Sequence, residues 1–274
     1  VDAKLQRRVQ RYGWDRAAAH YERFWQRQLA PAQDRLLAHA ALRPGERVLD
    51  VACGTGLVTF PAAEAVGSAG EVVGTDISDA MVEAGRRGAA ERGLAHVRFE
   101  RREAEALGFP DGAFDVVLCA LGLMYVTDFE GSVREMHRTT RPGGRAAACV
   151  WGRRDRCGWA EIFPIVDSRV KTEVCPLFFQ LGTGGLLAAL FAGAGFVEVA
   201  SERFDVPLEY RSPEDACGAA FAGGPVALAY SRFDDATRDA AHAEYLASIE
   251  PHRRDGRWEI PGEFVVVSGR RAAR

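Results

Sequence analysis

The sequence predicts a doubly wound α/β fold around a mostly parallel sheet, and three observations carry that expectation. Val48-Leu49-Asp50-Val51-Ala52-Cys53-Gly54-Thr55-Gly56 reads as a buried strand that ends in an acid and runs into a glycine turn. Val72-Val73-Gly74-Thr75-Asp76 reads as a second buried strand ending in an acid, about twenty residues past the glycines, where a nucleotide-binding βαβ unit places a ribose-binding carboxylate. Two more strands, Val97 to Arg101 and Phe114 to Ala120, bring four strand ends to one edge. In open parallel sheets that carboxyl edge is where ligands bind.

The elements follow in order. Tyr12, Trp14, Tyr21, Phe24 and Trp25, then Leu29, Leu36 and Leu37, recur at helical spacing and predict one or two helices up to the break at Arg43-Pro44-Gly45. After the first strand a helix is expected over Leu57 to Val66, with Pro61 tolerated because it falls in the first turn. A helix ends near Arg141, Pro142-Gly143-Gly144 turns the chain, and Arg145 to Trp151 forms an Ala- and Val-rich fifth strand suited to burial on both faces. Trp159 to Val170 has a helical apolar pattern, Val174 to Leu181 carries the Phe178-Phe179 pair, and Thr183 is positioned to cap a helix from Gly184 to Ala194 closed by Gly195. Phe196 to Tyr210 is a sixth strand and Trp258 to Arg270 a seventh, with helices at Pro213 to Phe221 and Ala236 to Ile249 between them.

The motifs at Val48–Gly56, Val72–Met81, Glu103–Asp115 and Arg134–Gly144 together resemble the class I S-adenosylmethionine-dependent methyltransferases, nearest the branch that includes the ubiquinone and menaquinone C-methyltransferases. They span about Leu42 to Gly152. The resemblance implies a Rossmann-like, doubly wound, seven-stranded sheet with an N-terminal helical cap, S-adenosyl-L-methionine as cofactor and S-adenosyl-L-homocysteine as its product. It places Asp50 and the turn Ala52, Gly54, Thr55 and Gly56 at the methionine end, and Asp76 at the ribose. Ile77 and Met81 would line the adenine or ribose side, Glu103 with the Ala104 amide would read the adenine edge, Ala120 and Leu121 would close over the sulfonium side, and Glu105 and Tyr125 are further candidate cofactor contacts. The family's N-terminal segment lies over the cofactor, which brings Tyr21 and Trp25 to it, and cation–π attraction gives an aromatic a reason to be beside a sulfonium. Three positions depart from the family: Ala52 replaces a frequent first glycine, Glu103 an Asp, and Met124-Tyr125 a frequent His-His pair.

One domain is expected, with residues 1–45 as helical cap, 46–152 as the cofactor-binding half, and 153–274 carrying insertions at about 153–182 and 211–232. Both insertions follow strand ends on the ligand edge and are rich in aromatics, so Phe163, Phe178, Phe179 and Phe221 are the candidate walls of an apolar substrate pocket. A homodimer contact is the alternative use of those faces. Gly223-Gly224-Pro225 is a candidate lid hinge.

Methyl transfer needs little acid–base chemistry, because the sulfonium is already activated and the displacement is in line. Candidates for a base, should the nucleophile carry a proton, are His20, Tyr125 and His137; the sequence names no catalytic residue firmly, and His137 suits packing on the sheet better. His39, His96, His242 and His252 read as surface.

Composition narrows the partners. With 47% hydrophobic and 27% charged residues among 274, the chain can bury a large α/β core. A formal charge of −3 gives no electrostatic reason for nucleic-acid binding, and no [ND]-P-P-[YFW] run follows the fourth strand, which argues against nucleobase methylation. No apolar run has the length of a membrane span, and Val1-Asp2-Ala3-Lys4 lacks a signal-peptide pattern, so a cytoplasmic location is expected. The six cysteines, Cys53, Cys119, Cys149, Cys157, Cys175 and Cys217, show no metal-ligand spacing, so no metal is expected. Trivalent arsenic, a soft substrate for the cysteines flanking the pocket, is a minor alternative. An NAD-dependent oxidoreductase is disfavoured because Thr59 replaces the third glycine of G-x-G-x-x-G. The main reading is a methyltransferase acting on oxygen, carbon or nitrogen of a small, apolar or aromatic metabolite, and the alternative is a non-catalytic cofactor-binding module.

Overall fold

The computed structural model describes residues 3–170 and 178–273. Val174 and Cys175 fall outside the described residues. The chain begins with helix α1 (Ala3–Ala40) and then alternates β1 (Arg47–Val51), α2 (Thr59–Val66), β2 (Glu71–Asp76), α3 (Asp79–Glu91), β3 (Val97–Arg101), β4 (Phe114–Ala120), α4 (Phe129–Thr139) and β5 (Thr140–Trp151). The second half holds α5 (Ile162–Asp167), α6 (Leu186–Gly193), β6 (Phe196–Tyr210), α7 (Pro213–Cys217), α8 (Ala227–Tyr230), α9 (Asp235–Ile249), a two-residue β7 (Arg253–Arg254) and β8 (Arg257–Arg271).

The strands form one sheet in the order β3-β2-β1-β4-β5-β8-β6, with β7 pairing only with β8. The first five are parallel, and β8 runs antiparallel to both β5 and β6. This is the expected doubly wound sheet, with the short hairpin strand β7 as an addition. Val48, Leu49 and Val51 in β1 and Val116, Val117, Leu118 and Cys119 in β4 are fully buried, as central strands covered on both faces must be.

Several boundaries differ from the sequence expectation for local reasons. The N-terminal segment is one 38-residue helix that continues through Pro31, and its inner face is held by Ala32 and Leu36, neither exposed. The Pro142-Gly143-Gly144 turn is absorbed into β5, where the register jumps from Phe114 opposite Thr140 to Val116 opposite Arg145. Thr183 does not cap α6: its hydroxyl donates to the Phe179 carbonyl at 2.9 Å, and Gly185, at φ +78°, occupies the cap position. The expected helix over Pro213–Phe221 stops at Cys217 and widens into a π turn, Gly218–Ala222, against which Phe24 packs. The histidines expected on the surface are half-buried. His39 lies between Ser268 and Glu202, His96 faces the Ala63 carbonyl, and His242 meets the Tyr230 hydroxyl at 2.9 Å. Among the described residues no helix is long and apolar enough to cross a membrane, and no group of His, Cys, Asp and Glu could hold a metal.

Helix α1 crosses the sheet and is pinned along its length. At its C-terminal end Arg35 pairs with Glu202. In the middle, the Gln28 amide nitrogen donates to the Glu209 carbonyl at 2.6 Å while its oxygen accepts from the Glu209 N–H at 2.9 Å. A buried side chain thus serves as the missing neighbour for edge strand β6. Toward the N-terminus Asp15 accepts from the Ser78 hydroxyl at 2.6 Å and the Ala80 N–H at 3.1 Å, helping to cap α3 from another helix. The Gln28 clamp gives a stability prediction. Gln28→Leu leaves two backbone groups of Glu209 unpaired and should cost about 1–3 kcal/mol in urea denaturation. A loss below about 0.5 kcal/mol would show that water replaces the clamp freely.

Candidate active site

Where β1 and β4 end, the backbone is forced through unusual conformations. Ala52, just beyond β1, has φ +55°, and Leu121, just beyond β4, has φ +58°. Non-glycine residues in the left-handed region are strained, and such strain concentrates where a site needs the backbone turned. The family's frequent glycine at position 52 has its physical reason in this angle. Gly122 is required opposite: a Cβ there would sit 2.4 Å from that of Ala52. Gly54, at φ +56°, donates its N–H to Asp76 at 2.9 Å.

Between these turns and α1 lies a cleft of about 760 Å³, mouth included. Its floor is made by Ala52, Gly54, Asp76, Ile77 and Met81. The β3–β4 side contributes Glu103, Ala104 and Glu105, and the end of β4 contributes Ala120, Leu121 and Tyr125. Tyr21 covers it from α1. These are twelve positions singled out from the sequence, drawn together from five segments.

The remaining positions fall elsewhere. Trp25 lies deeper, in an adjoining chamber. Asp50, Thr55 and Gly56 do not line the cleft, and a Cβ on Gly56 would meet Phe60 at 2.8 Å and Phe99 at 3.0 Å, so this glycine serves packing. Six lining residues are not singled out as site residues by the sequence: Arg7, Gln10 and Trp14 on α1, and Arg102, Gly122 and Val126. Only the course of α1 over the edge brings the first three in.

The acids differ in what they can do. Asp76 is buried and its two oxygens accept from the Gly54 and Ser78 N–H groups, at 2.9 Å each. Burial pushes its carboxyl up to about 6 against those bonds. Asp50 is fully buried; Oδ2 accepts from the Thr59 hydroxyl at 2.7 Å and Oδ1 has no partner. Burial, with Asp76 nearby, pushes Asp50 up to about 7. Glu105 is already committed: it accepts from the Thr127 hydroxyl at 2.6 Å, the Thr127 N–H at 2.9 Å and the Asp128 N–H at 2.7 Å, and pairs with Arg7. Its burial is outweighed by these bonds, which hold it below the ordinary carboxylate range. Glu105 therefore shapes the rim, while Glu103 remains partly exposed, 3.5 Å from Arg7.

The candidate bases separate likewise. His20 is exposed on the outside of α1, stacked on Phe24. His137 sits on α4, edge-on to Phe196 at 4.9 Å, and burial lowers its pKa. Neither lines the cleft or the adjoining chamber. Tyr125 does, wedged between Trp14 at 5.0 Å and Phe178 at 5.2 Å, and burial raises its pKa well above 10.

The four expected pocket phenylalanines are not on the cavity walls. Phe163, Phe178 and Phe179 pack around Trp159 at 5.7–5.8 Å, a layer behind the wall. Phe221 is fully buried in a separate cluster with Tyr230, His242 and Tyr245. Aromatic character located these segments on the right edge of the sheet but could not give the direction of each ring. The narrow chamber beside the cleft is lined instead by tryptophans: Trp14, Trp25, Trp151 and Trp159. It shares Trp14, Tyr21, Leu121 and Tyr125 with the cleft.

With this geometry in place, comparison with known proteins identifies the chain. The methyltransferase domain family matches residues 48–144. Nocamycin O-methyltransferase of Saccharothrix syringae is 31% identical over 275 residues, covering 94% of this chain and 96% of that one. The ubiquinone/menaquinone biosynthesis C-methyltransferase UbiE of Ectopseudomonas mendocina is 49% identical over 107 residues, 39% of this chain and 42% of that relative. The structure of the [4+2]-cyclase SpnF superposes with a TM-score of 0.61 at 23% identity, covering 91% and 83% of the two chains, and shows the same fold. The chain belongs to the class I S-adenosylmethionine-dependent methyltransferases, near the UbiE branch, and is an enzyme that uses this cofactor.

The residues present fit the cofactor. Asp76 keeps free lone pairs beside the Gly54 turn for ribose hydroxyls, and Ile77 and Met81 offer an apolar wall to a purine.

Two measurements follow. Asp76→Ala should weaken S-adenosylmethionine binding by about 1.5–3 kcal/mol in calorimetry at pH 8, through lost charged hydrogen bonds. Unchanged affinity in a folded variant would remove Asp76 from the site. The raised pKa of Asp50 also gives a sign for stability. Its contribution is fully present below 3.8 and is lost as pH rises toward about 7, because over that window the unfolded chain releases a proton that the buried carboxyl keeps. Asp50→Asn should flatten the pH dependence of unfolding across that window in the cofactor-free protein, and an unaltered slope would place the titration elsewhere.

Proposed function

We propose that this enzyme transfers a methyl group from S-adenosylmethionine to a small aromatic or apolar metabolite held in the tryptophan-lined chamber. The observation that carries the reading is the continuity of the two cavities. Leu121, Tyr21 and Tyr125 face both, so a ligand in the chamber and a sulfonium at the closed end of the cleft would be neighbours. The adenosine would occupy the side near Asp76, Ile77 and Ala104, with the methionine portion toward Ala52 and Gly54.

The cofactor supplies a methyl group already activated by positive sulfur. The chain has to exclude water, hold the acceptor in line and let the charge disappear, and an apolar enclosure favours a reaction that ends in a neutral thioether. Full-length similarity to an enzyme named for O-methylation favours oxygen as the accepting atom. The match to UbiE covers only 39% of this chain and supports only the shared use of the cofactor.

Transfer of labelled methyl groups to a panel of phenols, enols and amines tests the proposal. Turnover of an aromatic acceptor is expected, with Trp151→Ala or Trp159→Ala raising acceptor KM or lowering kcat/KM at least about tenfold while cofactor affinity stays within about twofold. Cofactor binding without transfer to any member of the panel would favour a non-catalytic module. Loss of cofactor affinity in the tryptophan variants would mean that the chamber belongs to the cofactor.

A further inference from the structure

The chamber beneath α1 has a one-sided polar inventory. Trp25 and Trp159 are 5% and 2% exposed, and the indole Nε1 of each is buried without a hydrogen-bond partner. Trp25 and Trp159 both line the chamber, and a Cβ built on Gly224, another lining residue, would stand 3.8 Å from the Trp25 Nε1. Tyr21 and Tyr125 add two hydroxyls, neither hydrogen-bonded to a described residue. Among the described lining residues there is no carboxylate, imidazole, ammonium or guanidinium. An indole N–H can only donate, and leaving one buried and unmet costs about 1–3 kcal/mol. Two in one chamber are a standing cost unless a ligand supplies acceptor atoms.

Resting on the methyltransferase reading above, we infer that the chamber receives its acceptor as a conjugated oxyanion, a phenolate or enolate, held by the Trp25 and Trp159 N–H groups and the Tyr21 and Tyr125 hydroxyls, with no protein base. An amine acceptor would leave these donors unmet and bring further donors of its own. A carboxylate concentrates its charge and calls for a guanidinium partner, which the described wall lacks, whereas a conjugated oxyanion spreads its charge over a ring that the tryptophan faces can cover. The tyrosines remain donors, since burial holds both phenols above their ordinary range. The other charged groups lie across in the cleft: Asp76, Glu103 and Glu105 oppose an anion, and Arg7 and Arg102 face the rim.

The acceptor loses its proton to bulk water before it is enclosed. Its oxygen then bonds to the methyl carbon as the carbon–sulfur bond breaks with the electron pair left on sulfur. No proton moves inside the chamber, and the negative charge of the acceptor and the positive charge of the sulfonium cancel.

The test uses the protein saturated with S-adenosylhomocysteine and a series of nitro- and halogen-substituted phenols of graded acidity, whose absorption spectra distinguish phenol from phenolate. Each phenol should bind as phenolate, with an apparent pKa at least about one unit lower on the protein than in water. Trp25→Phe and Trp159→Phe, which keep an aromatic ring and remove the N–H, should each weaken phenolate binding about fivefold to tenfold, with S-adenosylhomocysteine affinity within about twofold. In the unsubstituted protein the midpoint of kcat/KM against pH should follow the acidity of each phenol. Phenols bound in neutral form, failure of every phenol to bind, or one midpoint shared by all of them would overturn the inference, the last by assigning an enzyme base. Calorimetry with S-adenosylhomocysteine on the same sample keeps the two levels apart: no binding there sinks the methyltransferase reading, while normal binding beside neutral phenol sinks only the oxyanion site.

Discussion

The site depends on one contact, the seating of α1 across the carboxyl edge of the sheet. Without it the cleft would be an open groove, and neither Tyr21 nor the tryptophans of α1 would face a ligand. The seat combines polar anchors spaced along the helix with an apolar stripe. Asp15 grips the start of α3 beside Asp76, Arg7 ties the helix to Glu105, and Gln28 completes the hydrogen bonds of the edge strand. Along the stripe, Phe24, Trp25, Leu29 and Leu36 are almost wholly buried, and burying four such side chains contributes several kcal/mol, far more than the surface ion pairs. The apolar stripe sets how strongly the helix sits and the polar contacts set where.

That seating has an electrostatic consequence. Burial raises Asp76, in the cleft that Tyr21 of α1 covers, toward neutrality, and raises Asp50, enclosed in the central strand, further still. Asp76 retains its negative form through two backbone N–H groups, whereas Asp50 has only the Thr59 hydroxyl. Trp25 and Trp159 carry buried N–H groups without acceptors. An oxygen-bearing acceptor answers that demand.

Much of this was legible in the sequence, and the parts that were not share a cause. Strands β1, β2 and β4 declare themselves because short apolar runs ending at an acid or a glycine turn have few other uses in a doubly covered sheet. The residues at those strand ends reach the cleft as expected, Asp76 and Leu121 among them. Trp14, Arg7 and Gln10 were hidden because α1 buries polar residues as well, Gln6, Gln10, Gln28 and Gln33, so its inner face is not marked by hydrophobicity. Phe221 was misplaced because composition marks a segment as core without giving a ring its direction, and its neighbours on α9 won it. Thr183 failed as a cap because glycine at 185 turned the chain first.

The central claim is that α1 and the strand ends enclose one continuous site in which cofactor and acceptor meet. A crystal structure of the complex with S-adenosylhomocysteine tests it most directly. The account predicts the ribose on Asp76, the adenine between Ile77 and Ala104, and the sulfur beside Leu121 and Tyr21 at the opening of the tryptophan chamber. A sulfur directed toward solvent at the Arg7 rim, or walled off from the chamber by Tyr125, would contradict it.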